Sequence, residues 1–145
     1  MTLLPCLSAN DRPRRRTILL VEDEPFVREA TCNILEGAGF EVLPAADALE
    51  AMEVYQACKR RIDLVMTDMV LPGRTGRQLG EDLRQCSPEI VVLVTSGYSN
   101  PEYEMEAPAL RTYFLAKPYS RRTLVEKIEK ILARESLGRV ATQAS

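Results

Sequence analysis

The sequence predicts an α/β fold in which a doubly wound, five-stranded parallel sheet carries helices on both faces. Short, uninterrupted apolar runs alternate with longer segments whose apolar residues recur every three or four positions. Runs of the first kind are typical of strands buried on both faces, and segments of the second kind are typical of amphipathic helices. The length favours one such domain, because 145 residues can bury a core but are too few for two full-sized domains.

Five short apolar runs are predicted to be the strands of this sheet. Val, Ile and Leu dominate the runs, and their continuity indicates that both faces of each strand are covered. The second run is the weakest, and Pro44 at its end favours a position near a sheet edge, because proline has no N–H for the strand ladder. The predicted strands are 18–21, 40–43, 64–66, 90–94 and 113–116.

Segments with helical spacing separate the strands. Pro25 is typical of a first helical turn, and Gly37 and Gly39 are typical of the end of the same helix. A helix between the fourth and fifth strands is doubtful, because Pro101 and Pro108 bracket its few candidate residues. The apolar residues that define the other four helices are Phe26, Val27, Ala30 and Ile34; Ala48, Ala51, Met52 and Tyr55; Leu79 and Leu83; and Leu124, Ile128, Ile131 and Leu132.

Composition sets the expected limits of the domain and its surroundings. We expect one domain at 17–135, preceded at 1–16 by a disordered arm or interdomain linker and followed at 136–145 by a disordered tail. The stretch 17–138 holds 14 basic and 20 acidic side chains, which makes it a poor match for nucleic acid. No apolar run approaches the roughly 20 residues that span a bilayer, so no membrane contact is expected.

The residue types that the chain lacks exclude several chemistries. There is no His, which excludes Ser-His-Asp and Cys-His catalysis, imidazole metal ligands and a phosphohistidine on this chain. The cysteines form no C-x-x-C pair, which argues against a zinc or redox site and favours reduced thiols in a cytoplasmic protein. The four cysteines are Cys6, Cys32, Cys58 and Cys86.

Polar side chains follow four of the predicted strands at the points where the strands end. Glu22 and Asp23 follow the first strand, and Asp68 follows the third. Thr95 ends the fourth strand, and Lys117 follows the fifth. The carboxyl ends of parallel strands meet at one edge of a sheet, where open α/β sheets bind their ligands. We therefore expect these five side chains to converge.

Clustered carboxylates without His or Cys favour a magnesium site, with manganese as a second possibility, because hard cations prefer oxygen ligands. A carboxylate beside such a cation, with an ammonium and a hydroxyl nearby, can accept a phosphoryl group. Each residue also has a simpler explanation, since Asp23 and Thr95 can cap helices, Asp68 can form a turn and Lys117 can be a solvated side chain. Those explanations require four independent coincidences at one edge, so we reject them in favour of a functional cluster.

Each of these strand ends lies within a longer motif. The motifs are I-L-L-V-E-D-E at 18–24, D-M-V-L-P-G-R-T-G at 68–76, V-T-S-G at 94–97 and F-L-A-K-P at 114–118. With these motifs, the chain resembles the receiver domain of response regulators in two-component signalling over about 17–135. The resemblance implies a flavodoxin-like fold with the strand order 2-1-3-4-5.

The resemblance also implies roles for individual residues. Asp68 accepts the phosphoryl group, and Lys117 pairs with it. Thr95 and Phe114 are the switch residues, and the peptide bond before Pro118 is cis. The implied magnesium ligands are Glu22, Asp23, Asp68 and the backbone carbonyl of Val70.

The function that the resemblance implies is a phosphorelay switch. A sensor histidine kinase or a His-containing phosphotransfer protein donates a phosphoryl group from its phosphohistidine to Asp68 of a monomer or weak dimer. The chain is expected to support its own magnesium-dependent phosphorylation and dephosphorylation without being a conventional enzyme. It is either a stand-alone receiver or the receiver of a hybrid sensor histidine kinase. The alternative function is a binding module that keeps the fold and signals without phosphate.

Overall fold

A parallel sheet occupies the centre of the domain. The structure, a computed structural model, describes residues 15–58, 61–97 and 106–144. Its central strands are β1 (Thr17–Val21), β2 (Glu41–Ala45), β3 (Ile62–Asp68), β4 (Val92–Ser96) and β5 (Thr112–Ala116). They lie in the order β2-β1-β3-β4-β5, and every neighbouring pair is parallel. The predicted strands and the strand order are confirmed.

Helices cover both faces of the sheet. They are α1 (Pro25–Gly37), α2 (Ala48–Cys58), α3 (Gly76–Cys86) and α4 (Arg121–Ala144). Successive side chains of a strand point to opposite faces. Ile18 of β1 therefore joins a core with α1 and α4, whereas Leu19 joins a second core with α2 and α3. Burial on both faces explains why the strand runs are continuously apolar.

The first predicted helix is confirmed as α1, and Ile34 packs against the core, but the apolar residues at its start do not. Phe26 is 81% exposed and Val27 is 38% exposed, and Ala30 is exposed as well. The buried residues of the helix are Thr31 and Leu35. Because α1 begins at the carboxyl edge of the sheet, its first turn projects beyond the strands, and its packing on the core starts farther along the helix.

The last helix is longer than the sequence analysis predicts. The expected disordered tail at 136–145 is wrong over 136–144, because α4 continues to Ala144. At the start of this stretch, Arg16 Nη2 donates a hydrogen bond to the Ser136 hydroxyl (3.1 Å). The residues that follow include Gly138, which favours a helix end, but no proline and several good helix formers, and the helix continues through the glycine.

The connection between β4 and β5 is described from residue 106 onward. It contains a 3-10 helix at Pro108–Leu110, which ends at Arg111 in the left-handed conformation (φ 52°). The doubtful fourth helix between Pro101 and Pro108 lies mainly outside the described residues, as does the expected arm, of which 1–14 is not described. Within the described ranges, no helix combines the length and apolarity that crossing a bilayer requires.

Candidate functional site

Three carboxylates meet at the carboxyl edge of the sheet. Val21 of β1 pairs with Thr67 of β3, so the residues that follow them, Glu22 and Asp68, are neighbours as well. Together with Asp23 they form a cluster in which one carboxylate oxygen of each residue lies within 4.8 Å of the others. Glu22 is buried, Asp68 is half-buried and Asp23 is exposed. One side of the cluster is therefore accessible to a ligand.

The ammonium group of Lys117 faces two of these carboxylates. Its Nζ lies 3.4 Å from Asp68 Oδ2 and 3.5 Å from Glu22 Oε1. The peptide bond between Lys117 and Pro118 is cis, which is the geometry that the resemblance implies. The Lys117 N–H donates a hydrogen bond to Ser96 O (2.8 Å). This main-chain bond and the two ion pairs hold the lysine over the end of β5.

Burial and charge act in opposite directions in this cluster. Burial raises the pKa of Glu22, although the Glu24 N–H and the Lys117 ammonium partly offset the effect. Burial lowers the pKa of Lys117, but the charges of Asp68 and Glu22 outweigh burial, and the pKa is raised. Lys117 is therefore cationic at neutral pH. The cluster therefore holds more carboxyl groups than ammonium groups.

Arg28 of α1 holds the turn after β1. Its Nη1 donates a hydrogen bond to the main-chain carbonyl of Glu22 (2.7 Å), and the Glu24 N–H donates to Glu22 Oε2 (3.2 Å). These bonds fix the turn that carries Glu22 and Asp23. Sequence reasoning missed Arg28, because a contact from a side chain to the main chain leaves no signal in hydrophobic spacing.

Thr95 lies beside Asp68 in the sheet, because the two residues pair in the register of β3 and β4. Thr95 is 2% exposed, and its hydroxyl donates to Thr67 O over 3.5 Å, which is a long and weak hydrogen bond. Phe114 lies in the middle of β5 opposite Val94 and is half-buried. The register therefore brings Thr95 next to the carboxylate cluster and leaves Phe114 one residue farther from the edge.

A short hairpin follows Asp68. Val70–Leu71 pairs antiparallel with Arg74–Thr75, and Gly73 between them has a positive φ of 72°. Gly76 lies so close to the strand end that a Cβ atom there would meet Asp68 O at 2.4 Å. Sequence reasoning missed the hairpin, although the Pro-Gly pair before Arg74 is a turn signal that could have found it.

The residues present fit a divalent hard cation. The clustered donors are carboxylate oxygens without nitrogen or sulfur, and such donors suit Mg²⁺ and Mn²⁺. Of the implied ligands, Glu22, Asp23 and Asp68 lie in the cluster, and Val70 follows Asp68 at the start of the hairpin.

Comparison with known proteins identifies the family. The family model of the response regulator receiver domain matches residues 18–129. The chain belongs to this family. Receiver domains work in two-component systems, where their family function is to accept a phosphoryl group. A receiver domain from Clostridium thermocellum has the same fold, with a TM-score of 0.77 and 25% identity over 84% of this chain and 98% of that chain.

The receiver domain is similar to parts of larger signalling proteins. It is 33% identical over 128 residues to the sensor kinase CckA of Brucella abortus (strain 2308), with 88% of this chain and 14% of the kinase covered. It is 29% identical over 126 residues to the phosphate regulon transcriptional regulatory protein PhoB of Pseudomonas aeruginosa, with 85% of this chain and 54% of the regulator covered. The chain spans about a seventh of the kinase and about half of the regulator.

Proposed function

We propose that Asp68 of this receiver domain accepts a phosphoryl group and thereby switches the domain in a two-component phosphorelay. The observation that carries the proposal is the position of Asp68, whose carboxylate lies 3.4 Å from Lys117 Nζ in a cluster with Glu22 and Asp23. Family membership supports the reaction, and the geometry supports the choice of the residue.

In the proposed reaction, a carboxylate oxygen of Asp68 attacks the phosphorus atom of a phosphohistidine on the partner. The P–O bond of an aspartyl phosphate forms as the P–N bond breaks, and the imidazole leaves with that electron pair and takes a proton from solvent. Lys117 first neutralises Asp68 and then pairs with a phosphoryl oxygen. A Mg²⁺ or Mn²⁺ ion held by Glu22, Asp23, Asp68 and the Val70 carbonyl would offset further negative charge on the transferring group.

Thr95 and Phe114 transmit the change in this proposal. The Thr95 hydroxyl exchanges its weak hydrogen bond to Thr67 O for a stronger one to a phosphoryl oxygen, which carries more negative charge. The ring of Phe114 then turns inward from β5 and reshapes the surface that β5 and α4 share.

The partner has to place its phosphohistidine above the carboxyl edge. Beside that edge, the exposed Phe26 and Val27 of α1 offer an apolar surface next to a groove of about 440 Å³. A sensor histidine kinase or a His-containing phosphotransfer protein that covers this groove would bring its histidine to Asp68. The groove is lined by Val27, Thr31, Gly97, Lys117, Pro118 and Tyr119.

The setting in which the domain works is part of the same proposal. We expect a cytoplasmic monomer or weak dimer that binds no nucleic acid and that promotes its own aspartyl phosphorylation and dephosphorylation. Similarity to a sensor kinase supports the receiver of a hybrid histidine kinase. The matched region makes up about half of the regulator PhoB, and this similarity supports a response regulator that is a separate protein from its kinase.

Intact-mass spectrometry after incubation with acetyl phosphate and magnesium tests the assignment. We expect one added phosphoryl group on the wild-type protein, none on Asp68→Asn and none after chelation of the metal. Asp82→Asn is the matched control, because it makes the same chemical change at a carboxylate of α3, which pairs with Arg74 of the hairpin. We expect Lys117→Gln to slow the reaction about 100-fold, because the loss of one preorganised electrostatic contact has this order of effect.

An adduct that persists in Asp68→Asn would contradict the assignment of the acceptor. A folded wild-type protein that gains no adduct, even from a phosphohistidine-bearing protein, would favour the alternative function, a binding module that signals without phosphate.

A further inference from the structure

A carboxylate outside the acidic cluster joins three elements of the domain. Glu106 precedes the 3-10 helix, and its Oε2 accepts a hydrogen bond from the Phe114 N–H in β5 (3.0 Å). The same oxygen lies 2.5 Å from Nζ of Lys127 in α4. We call the contact between Glu106, Phe114 and Lys127 the Glu106 clasp.

The clasp lies at the edge of the sheet, where the main chain of the last strand needs hydrogen-bond partners. β5 is an edge strand, and the main-chain groups on its outer side need partners outside the parallel ladder. Ala107 and Thr112 exchange two main-chain hydrogen bonds on this side (2.8 and 3.0 Å). Phe114 is two residues farther along β5, so its N–H points the same way. The Glu106 carboxylate accepts this N–H where a paired strand would offer a carbonyl.

Charge strengthens the clasp. Burial raises the pKa of Glu106, but the hydrogen bonds from Lys127 and Phe114 outweigh burial, and the pKa is lowered. Glu106 is therefore ionised at neutral pH, and both contacts are charge-assisted hydrogen bonds, which are stronger than neutral ones. The Glu106 side chain is 35% exposed and the Lys127 side chain is 28% exposed, so water screens the contact only in part.

We propose that the Glu106 clasp holds β5 and α4 in the resting arrangement and so opposes the switch. The proposal rests on the proposed function, because the switch in question is the one that phosphorylation of Asp68 drives. Glu106 is a positioning residue here, since it fixes the main chain of Phe114, whose ring turns inward on switching.

The direction of the effect follows from hydrogen-bond geometry. Strong hydrogen bonds exist only over a narrow range of distances and angles. The proposed reshaping of the surface between β5 and α4 includes a shift of β5 relative to α4, and such a shift weakens the clasp. A contact that is stronger in one state shifts the equilibrium toward that state. The loss of the clasp therefore favours the switched state and tightens the binding of any ligand that stabilises it.

Titration with beryllofluoride and magnesium tests the proposal. Beryllofluoride mimics the phosphoryl group on Asp68, and amide NMR spectra report both its binding and the hydrogen bond of the Phe114 N–H. Glu106→Gln keeps the shape of the side chain and removes its charge. We expect this variant to bind beryllofluoride about fivefold more tightly, at the lower end of typical coupling between sites, with a changed Phe114 amide shift.

Two further variants separate the clasp from general effects of charge. Glu126→Gln removes a carboxylate of α4, the helix that carries Lys127. Glu126 pairs with Arg122 (3.3 Å) and not with the clasp, so we expect this variant to bind beryllofluoride with wild-type affinity. Lys127→Gln removes the ion pair and keeps the bond from Phe114 to Glu106, and we expect tighter binding than in the wild type but weaker binding than in Glu106→Gln.

The outcomes distinguish this inference from the proposed function. A wild-type protein that does not bind beryllofluoride overturns the proposed function and the role of Glu106 with it. Normal binding by the wild type, together with unchanged or weaker binding by Glu106→Gln and Lys127→Gln, overturns only the role of Glu106. A lower melting temperature in these variants without tighter binding would show that the clasp is merely structural.

Discussion

Among the described residues, charged side chains at the amino edge of the sheet form ion pairs between elements, whereas at the carboxyl edge carboxyl groups outnumber cationic groups. The matched charges tie elements together, and Arg16 also donates to Ser136, which joins the start of β1 to α4. The ion pairs of the amino edge within the described ranges include Arg16–Asp63 (3.8 Å), Arg61–Glu41 (2.7 Å) and Arg111–Glu135 (3.0 Å).

The carboxyl edge holds the carboxyl groups of Glu22, Asp23 and Asp68 beside the Lys117 ammonium, and Arg28 bonds the main chain there. Like charges this close repel each other unless a cation joins them, so folding alone does not account for their clustering. The comparison teaches that matched charges stabilise the fold, whereas an unmatched cluster marks the place where the domain binds charged ligands.

Gly76→Ala is expected to have the largest effect on the carboxyl edge. The new Cβ would lie 2.4 Å from Asp68 O, a main-chain atom that moves only with its strand end. We expect the free energy of unfolding to fall by about 1–3 kcal/mol, as for other overpacked sites. Urea unfolding measures this loss.

Gly80→Ala is the matched control, one turn later in α3. Its Cβ would lie 3.5 Å from the Val92 side chain, which is an ordinary contact. Alanine is favoured over glycine within a helix by about 1 kcal/mol, so we expect unchanged or higher stability. Equal losses of unfolding free energy in the two variants would show that the close approach at Gly76 does not cause the loss.

Magnesium is expected to stabilise the carboxyl edge and not the amino edge. At ten times its dissociation constant, a ligand that binds only the folded state adds about 1.4 kcal/mol, which raises Tm. We expect Asp23→Asn to abolish this rise. Glu135→Gln breaks the pair with Arg111, so we expect a lower Tm that still rises normally with magnesium. Thermal unfolding with and without magnesium measures these changes. A rise of Tm in Asp23→Asn as large as that in the wild type would contradict the assignment of the metal to the carboxyl edge.

A third effect is expected at the amino edge at high pH. Burial and the hydrogen bond that Tyr113 donates to Glu135 Oε2 (2.7 Å) raise the pKa of Tyr113 to about 12. The unfolded value is about 10, so folding favours the protonated phenol. Its contribution to stability is complete below about pH 10 and is lost as the pH rises through about 12.

Tyr113→Phe removes this titrating group. We expect the stability of the variant to fall less steeply than that of the wild type over this alkaline range, measured by urea unfolding at a series of pH values. If the stabilities of Tyr113→Phe and the wild type fell in parallel with pH, the pKa of Tyr113 would be the same in the folded and unfolded states.

Most of the candidate site could be predicted because it lies at strand ends. Asp68 and Thr95 end neighbouring strands, and parallel strands bring their carboxyl ends to the same edge. Glu22 and Lys117 follow the same rule. The roles of these residues in phosphoryl transfer stay predictions, which the phosphorylation and beryllofluoride experiments test.

The sequence by itself determined where the strands lie and which side chains follow them, because hydrophobic runs and strand ends are local features of the chain. Only the tertiary structure decided that Phe26 is exposed, that α4 extends to Ala144 and that Glu106 contacts Phe114 and Lys127. These features depend on where an element leaves the core and on contacts between residues that are separate in the chain. Hydrophobic spacing carries no information on either, because it reports only which residues of a segment can share a face.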